Sequence, residues 1–548
     1  MPRVDRRTFL KQSAALAGAT FAIGVTARPV LGANERVNLG CVGIRGRGSG
    51  HINSYVGMGN TEVTWLVDID AGVVKSRRSG VERKLLEREL KPYENAKPKD
   101  VRKAEKKAAD LVKRYRRLSK KQREALSEAD RKNFEAAQKA NKATKAARDA
   151  EAAKFRKLIE PRLPKCTKDI REALDDKNLD AISIATPNHW HALMTIWACQ
   201  AGKDVYVEKP CSHNVFEGRK AVEAARKYKR IVQHGTQSRS SGHWAQLAAI
   251  ARSGKLGKLL ISHGIASKPR GGIGFKKPET PPEHIDFNLW LGPAPMQPYH
   301  RNIVPYNWHW FWDFGNGEIG NQGVHQMDIA RWMIPGATLP DSVFSLGGRF
   351  AWGDQGQTPN TQLTVYTFGD ALLVFENCNL TRKSRRVSND AYFEAGKVVD
   401  GRKFFPKGST KQAPLPKVDF KVGAGGPFGN FVNAIRSRKH TDLNADILEG
   451  HYSSALCHLG NISYRLGKDV PLAEGKKVLE GNDFATANWA RLEKILVEEN
   501  KVKLDELKIR VGPKLKFDAK TEKFIDAPDA DKLLTRPYRK PFVVPDEV

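Results

Sequence analysis

Between Val37 and Asp68 short β-branched runs alternate with glycine-rich turns. Val37-Asn38-Leu39-Gly40-Cys41-Val42 reads as a strand that stops at Gly43-Ile44-Arg45-Gly46-Arg47-Gly48, and a helix is predicted to open near Gly48–His51. Val63-Thr64-Trp65-Leu66-Val67 reads as a second strand ending on Asp68. The same rhythm resumes later, with a helix over Asp169–Asp176, a strand over Ala181–Ala185 read as fully buried, a helix over Ala192–Ala201 and a strand over Asp204–Val207. Strands alternating with helices predict a parallel, doubly wound sheet. From about Thr236 the pattern changes to β runs at Leu259–Ile265, Ser342–Phe350, Leu363–Phe368 and Ala371–Asn377, separated by Gly, Pro and Asn. These suit an open, mainly antiparallel sheet, closed by helices around Gly429–Arg438 and Leu448–Leu466. The expected fold class is α/β, with a Rossmann domain over 34–235, a C-terminal α+β domain over 236–470 and a C-terminal extension over 471–548.

One stretch follows neither pattern. Lys75–Pro164 is rich in Ala, Lys, Glu and Arg and helical by propensity. Val101, Ala104, Ala108, Leu111, Tyr115 and Leu118 recur three and four apart, the spacing of a heptad seam. Ser119-x-x-Gln122 resembles a capping box, so a helical hairpin is expected, its later helix over about Glu128–Ile159 with a thin, alanine-lined inner face. The chain of 548 residues has a formal charge of +32. About 31 Lys and Arg against about 14 Asp and Glu lie in this insertion, which supplies roughly half of that excess. Three uses stay open for it: a solvated spacer or subunit contact, an arm on anionic cell-wall polymer, and a nucleic-acid element. Sparse aromatics for stacking bases argue against nucleic acid as a partner.

The first 33 residues change the picture of where the protein works. Asp5-Arg6-Arg7-Thr8-Phe9-Leu10-Lys11 precedes a small, apolar run from Ala14 to Ala27, the layout of a secretory signal of the twin-arginine (Tat) type. A periplasmic or otherwise exported location is expected, with a cofactor loaded before export and then retained. The cysteines (Cys41, Cys166, Cys199, Cys211, Cys378 and Cys457) form no CxxC pair, so no metal site is expected.

The candidate chemistry begins at the glycine loop. Gly43, Ile44, Arg45, Gly46 and Gly48 lie between strand and helix, where glycines let backbone N–H groups approach a pyrophosphate. Asp68, at the end of the second strand, suits ribose hydroxyls and favours NAD, with NADP left open. The middle glycine of the G-x-G-x-x-G pattern is Arg45, which either folds outward or pairs with a phosphate oxygen. Thr186, Pro187, Asn188 and His191, with Glu208 and Lys209, follow two further strands, where open α/β sheets bind ligands.

These motifs carry a resemblance. The Thr-Pro-Asn-His-Trp-His loop, the Glu208-Lys209-Pro210 tripeptide and the Rossmann start resemble the Gfo/Idh/MocA oxidoreductase family, from about Val37 to Val470, and Leu533–Pro545 resembles its arm-like tail. The resemblance implies that Lys209 lies near both nicotinamide and substrate. A lysine at a strand end facing a partly dry cleft can have a lowered pKa and exchange a proton with a hydroxyl. The family commonly carries Asp-x-x-x-His where this chain has Asn321 and His325. An amide cannot act as a base, so the proton work falls on Lys209 and His325. Asp328 is expected to bond a helix end or an arginine. The resemblance also implies a homo-oligomer formed through the second sheet.

Trp308 and Trp310, in Tyr306-Asn307-Trp308-His309-Trp310, suit the C–H faces of a sugar, or pack a domain junction. Gln237 and Arg239 either join the cleft floor or act at a hinge. The function expected is NAD(P)-dependent oxidation of a hydroxyl on a sugar, cyclitol or sugar derivative, with His325, Trp308, Trp310, Gln237 and Arg239 around the substrate. Two other readings stay open: a glycoside hydrolase or lyase that oxidises only transiently, and a non-catalytic binding protein stabilised by the cofactor.

Overall fold

The computed structural model describes residues 36–548, and the export signal expected over 1–33 lies outside them. The first sheet has six strands: β1 (Val37–Val42), β2 (Thr61–Val67), β3 (Lys165–Thr167), β4 (Ala181–Ile184), β5 (Asp204–Val207) and β6 (Val232–His234). Their order, β3-β2-β1-β4-β5-β6, is that of a dinucleotide-binding doubly wound sheet. β1 runs parallel to β4, β4 to β5 and β5 to β6. Every residue of β4 and β5 is buried, because parallel strands are covered on both faces. The helix after β4 spans Asn188–Gln200, four residues earlier than its apolar run predicts. Pro187, with φ −58°, stands at its N-cap and its carbonyl accepts from the Trp190 amide at 3.1 Å.

The second sheet has eleven strands. β7 (Leu259–Ser267), β8 (Ser342–Gly348), β9 (Thr361–Phe368), β10 (Ala371–Cys378), β11 (Arg386–Phe393), β12 (Gly396–Val399) and β13 (Lys403–Pro406) form most of it. β14 (Lys468–Pro471), β15 (Lys508–Val511), β16 (Leu515–Asp518) and β17 (Lys523–Ile525) complete it. The path is β13-β12-β11-β7-β10-β9-β8-β15-β14, with β16 on β8 and β17 on β16. β7 and β10 are parallel, and the neighbouring pairs are antiparallel. Within the extension over 471–548, the strands between Lys508 and Ile525 therefore belong to this sheet.

Period-2 alternation decides which side chain faces which layer. Val343, Tyr366, Leu373 and Phe375 pack with Ala455, Leu456 and Leu459 of the helix Ile447–Arg465. Their alternates Phe344, Leu346, Leu363, Val365 and Val374 pack with Trp489, Leu492 and Leu496 of the helix Asp483–Asn500. Over β8, β9 and β10, the face that the resemblance assigns to a partner subunit is thus covered by the chain's own helix.

The tail runs over the helices Val215–Lys227 and Asn188–Gln200 of the Rossmann domain and the segment 288–292. Leu534 accepts from the Phe216 amide at 3.0 Å, Arg539 bonds Gly292 and Asn288, and Phe542 meets Trp190 edge-on at 5.3 Å.

By contact the chain divides into two units. One includes Tyr55–Thr64 and Lys75–Lys165; the other holds 38–54, 65–74 and 166–548. In the first, three long helices replace the expected pair: Ala71–Ala96, Lys99–Arg116 and Glu128–Ile159. The Ser119/Gln122 capping box is present, heading the short helix Lys120–Glu124. The seam is thin, as its alanines predict, with Val112, Ala137 and Ala152 buried and Tyr115 stacked on Phe134 at 3.5 Å.

Candidate functional site

In the larger unit, the C-terminal ends of β1, β2, β4 and β5 open on a cavity of about 780 Å³. Its far wall comes from the segment around Val304–His309 and from Asn321, Gln322 and His325.

The loop after β1 is built by its glycines. Gly43 has φ +72°, and a Cβ there would lie 2.6 Å from the Thr186 amide nitrogen, so only glycine fits. A Cβ on Gly48 would collide with the Gly43 carbonyl. Gly48 therefore does not line the cavity, contrary to expectation; it lets the helix Arg47–Gly57 close against the loop. Gly46 does line it, and a Cβ there would meet nothing within 4 Å. Ile44 is a second correction: its side chain is buried, and its amide donates to Asp68 Oδ2 at 2.9 Å. Asp68 Oδ1 accepts from the Asp70 amide at 3.0 Å. Burial, with Asp70 nearby, raises the Asp68 carboxyl above its ordinary value despite these two bonds. Arg45 lines the cavity in an ion pair with Asp70. The open glycine loop at a helix start, with an acidic pair at the end of β2, fits a dinucleotide.

The loop after β4 is tied to the loop after β5. His191 places Nδ1 2.5 Å from the Pro210 carbonyl and Nε2 2.8 Å from that of Thr186. Thr186, Pro187, Asn188 and His191 line the cavity, and Asn188 Nδ2 donates to Asn316 Oδ1 at 3.2 Å. Glu208 is buried among donors: Arg47 Nε at 2.7 Å, His51 Nε2 at 3.1 Å and Gln237 Nε2 at 3.1 Å, all on Oε1. Burial works to raise this carboxyl, but the His51 bond and the charges of His51, Arg47 and Lys209 outweigh it and hold it below its usual range.

Lys209 is the group left facing the cavity. Its Nζ donates to the Asn321 carbonyl at 2.6 Å and to Asn321 Oδ1 at 3.3 Å. Burial lowers its pKa; Glu208 and Glu318 pull it up, Arg47 and Arg270 down. Asn321 sits in a π-helical turn, Ile319–Gly323, that feeds directly into the helix Val324–Met333. His325 is the second residue of that helix and lines the same cavity. Burial and the nearby Lys209 push its imidazole down to about 3, so it is neutral. The predicted grouping of Lys209, Asn321 and His325 is thus real, although Asn321 is spent on Lys209.

The aromatic segment divides. Trp308 lines the cavity and stacks on His309 with centroids 3.6 Å apart. Trp310 is a correction: it is buried away from the cavity, beneath Arg270 at 5.7 Å. Arg239 is another, since its Nε donates to both Asp328 oxygens at 2.9 and 3.0 Å, within the fold. Asp328 is structural, as expected, and also accepts from Ser453 at 2.7 Å. Gln237 reaches the cavity. Arg47, Lys268, Tyr306, His309 and Gln322 also line it without having been singled out in the sequence. Arg47 and Gln322 adjoin the two motifs and could have been found there. Lys268 lies just past the end of β7, where no motif marks it.

Two family models match the chain: "Oxidoreductase family, NAD-binding Rossmann fold" over residues 114–236, and "Oxidoreductase family, C-terminal alpha/beta domain" of the same Gfo/Idh/MocA type over 271–492. The first match begins inside the insertion, which separates β1 and its glycine loop from the rest of the domain. An oxidoreductase of Bacillus subtilis, YrbE, is 35% identical over 91 residues, 17% of this chain and 27% of that protein. Inositol 2-dehydrogenase of Salmonella typhimurium is 31% identical over 128 residues, 22% of this chain and 38% of that enzyme. The chain thus spans well under half the length of these curated relatives. Among solved structures, the WlbA dehydrogenase of Chromobacterium violaceum, in complex with NADH and UDP-GlcNAcA, shares the fold at a TM-score of 0.50 and 15% identity, over 79% of this chain and 94% of that one. With both of its domains matched and the strand order of its first sheet in agreement, the chain belongs to the Gfo/Idh/MocA oxidoreductase family.

Proposed function

We propose that the protein oxidises a secondary hydroxyl of a sugar, cyclitol or sugar derivative, with NAD held along the glycine loop and Asp68. The observation that carries this reading is Lys209 held by Asn321 at the mouth of the cofactor cradle. Held by the glycine loop and Asp68, NAD would supply the hydride acceptor for the carbinol carbon. The chain's own work is to place that carbon and remove the hydroxyl proton. A neutral Lys209 amine has two N–H groups, and the two Asn321 oxygens accept both, which leaves its lone pair as the base for the hydroxyl. Burial makes the neutral form accessible. His325 stays neutral and makes no hydrogen bond to a protein group among the described residues, so its ring is available to orient the hydroxyl. Trp308 offers an apolar wall for the C–H face of a ring. The relationship to an inositol 2-dehydrogenase supports a polyol substrate.

The test is to purify the folded protein, identify bound nucleotide by absorbance and mass spectrometry, and offer a panel of polyols and glycosides. Reduction of NAD with one arm of the panel is expected. Absence of nucleotide binding, or glycoside cleavage without net reduction, would overturn the reading. Lys209→Met should bind NAD normally and lose roughly 100- to 10,000-fold in turnover. We also propose, from Arg6-Arg7 and the apolar run that follows, that the loaded protein is exported; an N-terminal fusion reporter that fails to leave the cytoplasm would refute this.

A further inference from the structure

At the substrate end of the cavity the cations are not balanced. Arg47 is paired with Glu208, and Arg270 is held by both oxygens of buried Glu318 at 3.0 and 3.1 Å. Lys268 has no such partner: among the described residues its Nζ is within reach only of an amide oxygen, Gln322 Oε1, at 3.4 Å. It is not a loose surface lysine. Its amide donates to the Cys378 carbonyl at 3.1 Å, and its carbonyl accepts from Asn379 Nδ2 at 3.2 Å, so both sides of its backbone are pinned to the end of β10. Half-buried, its ammonium is pushed down by burial and by the positive fields of Arg270 and Arg385, against which the charge of Glu318, already bonded to Arg270, pulls it up. A half-buried cation with no ion-pair partner of its own is stabilised by a ligand that supplies one.

The position relative to the reacting group is also defined. Lys209 is anchored on Asn321 and Lys268 on Gln322, consecutive residues of the π-helical turn. The two lysines therefore address one small molecule, Lys209 at the hydroxyl and Lys268 at a group some atoms away.

We propose that the substrate carries an anionic group, a carboxylate or a phosphate ester, and that Lys268 binds it. This rests on the dehydrogenase reading above and narrows the substrate to an acidic sugar or cyclitol derivative. The carbonyl product keeps the anionic group, since Lys268 takes no part in the oxidation.

The experiment uses the full chain loaded with NADH and measures binding by calorimetry across three arms: neutral polyols, their carboxylate counterparts (aldonates and uronates), and their phosphate monoesters. At least one acidic ligand is expected to bind 10-fold or more tightly than its neutral counterpart, and the arm in which it falls identifies the group. Lys268→Gln should abolish that preference, while Lys268→Arg should retain most of it. Equal or better binding of the neutral compounds, no binding in any arm, or a preference that survives Lys268→Gln would each overturn the proposal. If the protein takes up NAD and oxidises neutral polyols without preference, this inference fails and the dehydrogenase reading stands. If it takes up no NAD, the dehydrogenase reading fails first.

Discussion

In the proposed mechanism Lys209 acts as a base because burial favours its neutral form, and the pH profile should show this. Its folded pKa lies below the ordinary lysine value, so the basic form exists at lower pH than for a free side chain. In the oxidative direction kcat/KM should rise with pH and level off above that lowered pKa, with a midpoint below the usual ~10.4. His325, pushed down to about 3, should add no limb between pH 5 and 9. A limb that persists in Lys209→Met would remove Lys209 from the role. Asp68 sets the cofactor in the same local way. With Asp70 beside it and Arg45 already paired, a 2′-phosphate would meet two carboxylates. The protein should prefer NAD over NADP by roughly 10-fold or more, about 1.4 kcal/mol, and Asp68→Ala should narrow the gap. Equal affinities in the unmodified protein would contradict this. What could be read at this scale was whatever adjoins a motif: Gly43, Asp68 and Lys209 were legible. Lys268 was not, because its importance lies in what fails to neutralise it, and that is decided by residues far off in the chain.

At the scale of elements, a short polar cluster holds the helices behind the site. Arg239, from the turn Gln237–Ser240, Asp328 from Val324–Met333 and Ser453 from Ile447–Arg465 meet away from water. Removing Asp328 breaks a buried ion pair and leaves the Arg239 guanidinium with Glu449 alone, and breaking such a pair costs about 3–5 kcal/mol. Asp328→Ala should therefore lower the denaturant midpoint strongly, whereas Asp328→Ala with no change in stability would show the cluster to be idle. The sequence placed Asp328 correctly as structural, since a helical carboxylate close to arginines has an obvious partner. It offered Arg239 for the cleft floor or a hinge, because an arginine in a connecting turn reads the same whether it faces a ligand or a neighbour. Trp310 failed for the same reason: two tryptophans two residues apart look alike, and the 3₁₀ turn Asn307–Trp310 sends one to the cavity and the other beneath Arg270. The capping box at Ser119 was legible because its partners are three residues apart.

Over the whole molecule, the end of the chain supports its beginning. Phe542 and Val544 join the Rossmann core beside Trp190, and Trp190 lines the cavity. Phe542→Ala should cost about 3–5 kcal/mol and weaken NAD binding, both readable by thermal denaturation with and without nucleotide. Unchanged denaturation would show the tail to be dispensable. By itself the sequence determined the alternation of strands and helices, the glycine loop, the acidic strand end and the lysine of Glu-Lys-Pro. Each of these is a local pattern, set by the period of an element or by contacts a few residues long. Only the tertiary structure decided that Asn321 holds Lys209, that Glu208 is neutralised by Arg47 and His51, that the helix Asp483–Asn500 covers the second sheet, and that Lys268 is left without an ion-pair partner among the described residues. These depend on contacts between residues from about fifty to more than a hundred and fifty positions apart, and on burial, which turns a surface charge into an electrostatic demand.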